Sequence, residues 1–295
     1  MGQKAHLNTL VLLLVLVASA MLLHFMLKLQ WYGSNSSVSY SQNNNNYMPA
    51  YQANFINIYK NAVWGKQGGK AWSGHGSSKG ETATFRQYLE GFIRDNNIKS
   101  ILDAPCGKWL FMRYLNWTGI KRYIGIDIVP FVIEENRRLL SNHNMSLPFK
   151  TQFKFHLMSI SNPQIPTADL LLCKELVLHL SFASIFHLLD NVLPPSWRDL
   201  ASGKRSSSEL SMPLYSCKFK YVLFFHSMGT HCRHQNMKQQ DITDGDYRPL
   251  DLRLPPFNLV DGSFFDCGKR APCVYCFLLN LTQPMWRCRH DSEEE

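Results

Sequence analysis

The chain has 295 residues, 45% of them hydrophobic and 13% aromatic, so it can bury a sizeable core and is not disordered throughout. Its formal net charge is +9, but the basic residues are spread as pairs such as Arg137-Arg138, without a basic stripe or an aromatic RNA-binding motif. Composition therefore does not favour a nucleic-acid-binding protein.

An apolar segment lies near the start of the chain. Residues 10–27 read LVLLLVLVASAMLLHFML, interrupted only by Ser19 and His24, and approach the roughly 20 residues that a helix needs to cross a bilayer. We expect residues 1–30 to form a signal-anchor transmembrane segment. A cleaved signal peptide remains an alternative, because residues 18–20 (ASA) fit a cleavage pattern.

Three regions follow the apolar segment. Residues 31–50 are polar and nearly without charge, which predicts a flexible stalk. Globular sequence begins near Tyr51, and we expect one folded domain over residues 51–290. The acidic residues 291–295 (DSEEE) predict a solvated tail.

Helix-like and strand-like stretches alternate along the body. This alternation is typical of βαβ units and predicts an α/β fold with a mostly parallel sheet, which the last apolar stretch would close. The predicted strands are residues 100–104, 121–128, 151–157, 168–174, 220–225 and 273–281, and the predicted helices are residues 81–97, 132–143 and 182–193.

The segment SILDAPCGKW, residues 100–109, ends a predicted strand in a turn that contains Gly107. Ligands of open α/β sheets bind beyond the carboxyl ends of the strands, and an acid at the end of the second strand can accept hydrogen bonds from ribose. Asp127 ends the second predicted strand, 24 residues after Asp103. The pair of strand-end acids therefore predicts a nucleotide site.

These and other motifs resemble the class I S-adenosylmethionine-dependent methyltransferases, in particular a subgroup with an LDxPCG first motif that is often associated with glycan assembly. The resemblance covers most of residues 51–281 and implies a Rossmann-like α/β fold with a seven-stranded, mostly parallel sheet and a closing antiparallel strand. Its motifs are IYKNAVWG (58–65), SGHGSS (73–78), ILDAPCG (101–107), YIGIDIVP (123–130), ADLLLCKELVLHLS (168–181) and DITDGDYRPLDLRLPPF (241–257).

The resemblance implies a cofactor, S-adenosylmethionine, and the residues that bind it. Asp103 and Gly107 would line its methionine part, and Asp127 would hold its ribose. A loop that closes over the cofactor would contain Ser73, Gly74 and Gly76.

Two positions depart from the family pattern. Lys108 stands where an acid usually follows the retained glycine, and Ser159 stands where an acid would meet the amino group of adenine. Lys108 reverses a charge beside a cationic sulfonium. A non-catalytic or regulatory cofactor-binding protein therefore remains an alternative.

Methyl transfer from a sulfonium to a hydroxyl requires alignment of the acceptor and benefits from a positioned base. Glu175 and His179 follow the fourth predicted strand, four residues apart and so on one face if the stretch is helical. We predict that they are catalytic, with His226 as a second-rank candidate. The alternative is that His179 fills a gap in the core.

A polar segment, DGDYRPLDL, follows at residues 244–252. Carboxylates and a guanidinium are suited to binding sugar hydroxyls, so we predict that Asp246 and Arg248 bind the acceptor. A solvated turn with an internal ion pair is the alternative. No metal site is expected.

The cysteines bear on the compartment. Cys106 and Cys173 fall at strand ends and are expected to be free and buried. The other six could form three disulfides in a lumenal protein, and a zinc site built on CVYC with His231, His234 and His290 is not favoured. These six are Cys217, Cys232, Cys267, Cys273, Cys276 and Cys288, and glycosylation triplets begin at Asn35, Asn116, Asn144 and Asn280.

Together, the sequence predicts a single-pass membrane enzyme of the Golgi or endoplasmic reticulum with a lumenal body, which would be secreted if the first segment is cleaved. It would O-methylate a hydroxyl of a glycan. Methylation of RNA or of a small molecule is a weaker alternative. The sequence does not indicate an oligomeric state.

Overall fold

The computed structural model describes residues 40–43, 46–67, 70–71, 73–141, 150–203, 214–227, 239–267 and 274–290. The predicted membrane segment at 10–27 and the acidic tail at 291–295 lie outside these ranges. Within them, every helix is too short or too polar to traverse a lipid bilayer.

Seven strands form the central sheet of the unit Tyr40–Glu295. They are β1 (Ser100–Asp103), β2 (Arg122–Asp127), β3 (Gln152–Leu157), β4 (Ala168–Lys174), β5 (Phe219–Ser227), β6 (Ser263–Asp266) and β7 (Val274–Asn280). Their spatial order is β6-β7-β5-β4-β1-β2-β3. β7 runs antiparallel to both of its neighbours, whereas the pairs from β5 to β3 are parallel. The predicted Rossmann-like sheet with an antiparallel closing strand is therefore confirmed.

Helices cover both faces of the sheet. They are α1 (Gln52–Lys60), α2 (Ala83–Asp95), α3 (Pro130–Ser141), α4 (Phe182–Val192) and the short α5 (Trp197–Ala201). The three helices predicted from apolar spacing correspond to α2, α3 and α4, with ends that differ by one or two residues. Sequence reasoning did not predict α1 or α5.

The alternation of side chains along β4 divides the core into two layers. Leu170 and Leu172 pack in one layer with the apolar face of α2. Leu171 and Cys173 pack in the other layer with residues of α1 and α4. All seven residues of β4 are buried, as expected for a central strand covered on both faces.

Ordered structure begins before the predicted boundary at Tyr51. Residues Tyr40–Asn43 pair antiparallel with Asn46–Pro49 in a hairpin. The hairpin lies within residues 31–50, which the composition predicts to be a stalk, and its second strand places Met48 in a buried position.

Two disulfides lie in the described part of the chain. Cys217–Cys288 joins residues 71 positions apart, and Cys267–Cys276 joins residues nine positions apart. Cys106 and Cys173 are free and buried, as predicted. Cys232 and Cys273, with His231 and His234, lie outside the described residues.

Candidate functional site

A cavity of about 360 Å³ lies at the carboxyl ends of the central strands. Its wall includes the turn after β1, the last residue of β2, the residues that end and follow β4, and Phe225 of β5. Side chains of α1 and the loop 73–77 complete the wall. This edge of an open α/β sheet is where ligands bind.

The turn after β1 brings Gly107 against Ser73. Gly107 has a φ of +51°, and a Cβ atom there would lie 2.7 Å from the Ser73 Oγ. The same Oγ accepts a hydrogen bond from the Lys108 backbone N–H at 3.0 Å and lies 2.7 Å from the Tyr59 hydroxyl. Only glycine permits this close approach.

The loop that contains Ser73, Gly74 and Gly76 lines the cavity. The Ser77 hydroxyl donates to the Ser73 carbonyl at 2.9 Å, which closes the loop on itself. Gly74 adopts a φ of +83°. A Cβ at Gly76 would have no neighbour within 4 Å, so the backbone borders open space there.

Asp127 ends β2 and also lines the cavity. Its Oδ2 accepts the Gly107 N–H at 3.0 Å and its Oδ1 accepts the Val129 N–H at 3.0 Å. Burial raises the pKa of this carboxyl to about 6, although the backbone hydrogen bonds act in the opposite direction. A carboxylate has about four acceptor positions, so these backbone bonds leave capacity for a further donor.

Asp103, by contrast, is not part of the cavity wall. Its Oδ2 accepts the Tyr123 hydroxyl at 2.6 Å, and its Oδ1 is buried with no hydrogen-bond partner among the described residues. Burial raises its pKa to about 7, while the Tyr123 hydrogen bond and Lys174 lower it. The contact of Asp103 with the methionine part of the cofactor stays a prediction, and the described cavity wall does not include this residue.

Both departures from the family pattern line the cavity. The Lys108 Nζ pairs with the Glu135 Oε2 of α3 at 2.8 Å, so the fold supplies a countercharge. Ser159 is fully buried, and its Oγ accepts the Ser161 N–H at 3.1 Å.

His179 ends a 3₁₀ turn, Val177–His179, and its side chain lines the cavity. Its Nδ1 lies 2.8 Å from the backbone carbonyl oxygen of Asp246. A carbonyl only accepts, so Nδ1 carries the hydrogen and Nε2 keeps its lone pair. Burial lowers the pKa of His179 below 6.5, while the Asp246 carbonyl and Glu175 oppose this shift. The ring is therefore neutral at pH 7 and able to accept a proton.

Glu175 is the first residue after β4 and lines the same cavity. Its N–H donates to the Phe225 carbonyl at 2.7 Å, and its φ is +56°. A non-glycine residue in the left-handed region is uncommon, and such residues cluster at functional sites. The structure thus brings Glu175 and His179 to one cavity, through a 3₁₀ turn rather than the α-helix that their spacing suggested.

Asp246 and Arg248 do not reach the cavity wall. The Arg248 Nη1 donates to the Leu180 carbonyl at 2.7 Å, and the Arg248 N–H donates to the Leu178 carbonyl at 3.1 Å. Asp246 contacts His179 through its backbone, and its side chain is exposed. The segment predicted to bind the acceptor holds the His179 turn in place, because its polar groups satisfy the backbone of that turn.

Sequence reasoning missed an aromatic wall of the cavity. Tyr51, which precedes α1, and Phe55 and Tyr59 of α1 recur at intervals of four, and Trp64 follows them. The Trp64 ring lies 5.2 Å from the His179 ring, centroid to centroid. The four-residue spacing was a readable signal of a common helix face, although it did not show which face meets the site.

Lys174 was also missed as a site residue. It is 5% exposed and lines the cavity, and its Nζ has no hydrogen-bond partner among the described residues. The Nζ lies 4.9 Å from the Phe225 ring centroid and 5.6 Å from that of Phe111. Burial lowers the pKa of this ammonium, whereas Glu175 and Asp103 raise it.

Two further predictions concern residues around the site. The side chain of His226 lies outside the described residues, although its backbone belongs to β5. Among the described side chains, no three from His, Cys, Asp and Glu are grouped as a metal site would require.

Comparisons with known proteins found similarity in structure only. No family model matches, and no curated protein matches. The methyltransferase domain of bacterial CtHen1 is 11% identical with a TM-score of 0.48, over 68% of this chain and 99% of that one. Magnesium protoporphyrin IX methyltransferase of Synechocystis PCC 6803 with bound SAM is 11% identical with a TM-score of 0.44, over 81% and 98%. N-methyltransferase NodS of Bradyrhizobium japonicum WM9 with S-adenosyl-L-homocysteine is 13% identical with a TM-score of 0.42, over 75% and 96%.

All three TM-scores lie below 0.5, so these similarities do not assign a function to the chain.

Proposed function

We propose that the chain is an S-adenosylmethionine-dependent methyltransferase that methylates a hydroxyl group of a glycan. The main observation behind this proposal is that the residues assigned to the cofactor and those assigned to catalysis line the same cavity. Gly107, Asp127 and the loop 73–77 lie on one part of its wall, and Glu175 and His179 lie on another.

The wall residues fit the proposed cofactor. Gly76 leaves its backbone bordering open space, and the glycine at position 107 lets the turn after β1 approach Ser73 closely. Asp127 presents a buried carboxylate that retains acceptor capacity for two vicinal hydroxyls. When bound, S-adenosylmethionine supplies an electrophilic methyl group on a sulfonium, so the protein need not activate it.

The protein's own contribution is to orient the acceptor and to remove its proton. His179 is held by the Asp246 carbonyl with Nε2 as the basic atom, and its lowered pKa keeps it neutral at pH 7. It can therefore accept the hydroxyl proton as the new O–C bond forms. Glu175 lies in the same cavity and favours the protonated imidazolium that results.

The aromatic wall supports a sugar as acceptor. The faces of aromatic rings carry partial negative charge, which attracts the C–H groups on the face of a pyranose. Tyr51, Phe55 and Trp64 supply such rings on the wall that also contains His179. A sugar stacked there would place a hydroxyl near the histidine.

The compartment belongs to the same proposal. Disulfides persist in oxidising compartments, so Cys217–Cys288 and Cys267–Cys276 support a lumenal body in the Golgi or endoplasmic reticulum. Asn116, the first residue of a glycosylation triplet, is exposed. The apolar residues 10–27 would anchor this body to the membrane.

Two measurements test the function. Isothermal titration calorimetry with S-adenosylhomocysteine should show binding, and absence of binding would contradict the cofactor assignment. Incubation with S-adenosylmethionine and a glycan library should add one methyl group to a member, read by mass spectrometry. Binding without transfer to any glycan would instead favour a non-catalytic cofactor-binding protein or another acceptor class.

A further inference from the structure

We propose that Lys174 binds the carboxylate of the cofactor's amino-acid end. This inference rests on the proposed function and adds a residue to it. It starts from the fact that the Lys174 Nζ is a buried nitrogen on the cavity wall with no hydrogen-bond partner among the described residues.

A buried ammonium without an acceptor is costly, because it has lost its hydration and gained no bond in return. The rings of Phe111 and Phe225 offset part of this cost by cation–π contact, at 5.6 and 4.9 Å from the Nζ. Rings do not accept the three N–H groups of an ammonium as oxygen atoms do. An anionic ligand that enters the cavity would supply the missing acceptor.

The position of Lys174 favours the cofactor as the source of that anion. Lys174 ends β4, and β1 separates β4 from β2, where Asp127 is assigned to the ribose. The two strand ends are about 9.6 Å apart, two strand spacings. The amino-acid arm of the cofactor spans roughly 7 Å by its bond lengths, and the lysine side chain covers the rest. The arm would cross the Gly107 turn that ends β1, and its carboxylate would meet the Nζ.

The neighbouring charges agree with a zwitterionic ligand. Asp103 and Glu175 both act on the Lys174 ammonium, so the region contains carboxylates as well as a cation. An α-amino acid carries both signs and can satisfy a mixed site without adding net charge. Lys108, the other buried lysine of the wall, already has Glu135 as its partner.

The test compares S-adenosylhomocysteine with its decarboxylated analogue, which keeps the ammonium and lacks only the carboxylate. Calorimetry should show that the wild type prefers S-adenosylhomocysteine, and that Lys174→Met lowers that affinity about 10- to 100-fold. Affinity for the analogue should change less than about threefold, since a removed carboxylate leaves the lysine nothing to bind. Lys174→Gln serves as a second variant, and Lys218→Met as a control in which a partnered lysine is removed away from the cavity.

The outcomes separate this inference from the proposed function. Equal loss of affinity for both nucleosides, or unchanged preference in both Lys174 variants, overturns the role of Lys174 while leaving the methyltransferase intact. The melting temperature provides a further readout, because removal of a buried unpaired charge should not lower it. Failure of the wild type to bind either nucleoside overturns both proposals. These titrations contain no acceptor. If the Lys174 variants lose the preference for S-adenosylhomocysteine over its decarboxylated analogue, the carboxylate that Lys174 binds therefore belongs to the cofactor and not to the acceptor.

Discussion

The Nδ1 of His179 lies 2.8 Å from the backbone carbonyl oxygen of Asp246, a residue 67 positions later in the chain. This contact sets the tautomer of the imidazole and leaves Nε2 as the atom that can accept a proton. It also explains why the polar segment around Asp246 matters to the site although its side chains do not line the cavity.

The first prediction concerns His179 as the base. His179→Ala should leave the affinity for S-adenosylhomocysteine nearly unchanged, while turnover falls roughly 10²- to 10⁴-fold, the usual effect of a positioned base. Because burial lowers the pKa of His179, the wild-type rate should fall only as the pH drops below about 6.5, where protonation removes the Nε2 lone pair. Steady-state kinetics with a saturating acceptor measures both effects.

Glu175→Gln is the matched comparison for that experiment. A smaller loss than in His179→Ala is expected if Glu175 only stabilises the imidazolium. Retention of most turnover by His179→Ala would identify the histidine as a packing residue.

The second prediction concerns Asp127 and the ribose. Asp127→Asn should weaken S-adenosylhomocysteine binding by about 1 to 3 kcal/mol, because hydrogen bonds to a charged acceptor are lost. The pKa of Asp127 is raised to about 6, so wild-type affinity should decline as the pH falls through that value. Calorimetry at several pH values tests this. Asp95→Asn, at an exposed position in α2, should bind like the wild type, and equal affinity of both variants would contradict the ribose assignment.

The third prediction links Asp103 to stability. Its pKa is raised from 3.8 to about 7, so the folded state holds the proton more tightly than the unfolded chain. The stability from this group is therefore complete below about pH 4 and is lost as the pH rises through about 7. The free energy of unfolding of Asp103→Asn, taken relative to that of the wild type, should therefore rise by on the order of 2 to 4 kcal/mol between these two pH values. Urea denaturation of both proteins at pH 4 to 8 measures this difference in the free energy of unfolding. A difference that does not change with pH would contradict the prediction and show that Lys174 keeps the Asp103 carboxylate ionised.

The fourth prediction contrasts two glycines. Gly107→Ala should lower the free energy of unfolding by about 1 to 3 kcal/mol, since its φ of +51° and the Ser73 Oγ at 2.7 Å oppose a side chain. Gly76→Ala should change it by less than about 0.5 kcal/mol, because the new methyl group meets nothing within 4 Å. Thermal denaturation compares them, and calorimetry should show weaker cofactor binding in Gly76→Ala if the loop closes on the ligand.

The fifth prediction concerns the disulfides. In the chain-entropy model, a disulfide that closes a loop of 71 residues raises the free energy of unfolding by about 4 kcal/mol, and one that closes a loop of nine residues raises it by about 2.5 kcal/mol. Replacing Cys217 and Cys288 by serine should therefore destabilise the protein more than replacing Cys267 and Cys276. Chemical denaturation of the two double variants decides this. The reverse order would indicate that local packing outweighs loop entropy.

Much of the fold was predictable because it depends on local pattern. Burial of whole strands such as β4, and helical spacing over α2 and α4, are properties of neighbouring residues, and they predicted the parallel sheet and its closing strand. The strand-end residues Gly107 and Asp127 followed from the same pattern, since parallel strands bring their carboxyl ends to one edge.

The sequence alone therefore determined an α/β sheet. Its strand ends singled out Gly107 and His179 and the resemblance singled out Ser73, and the structure places all three on one cavity wall. Tertiary structure decided what these residues contact. Asp103 contacts Tyr123 and does not line the cavity, Arg248 donates to the Leu180 carbonyl, and the Lys174 Nζ has no hydrogen-bond partner in the part of the chain that the structure describes. The contacts of Asp103 and Arg248 are with residues 20 or more positions away in the chain. The order of residues along the chain does not show which side chains share a buried space, so the sequence could not predict these contacts.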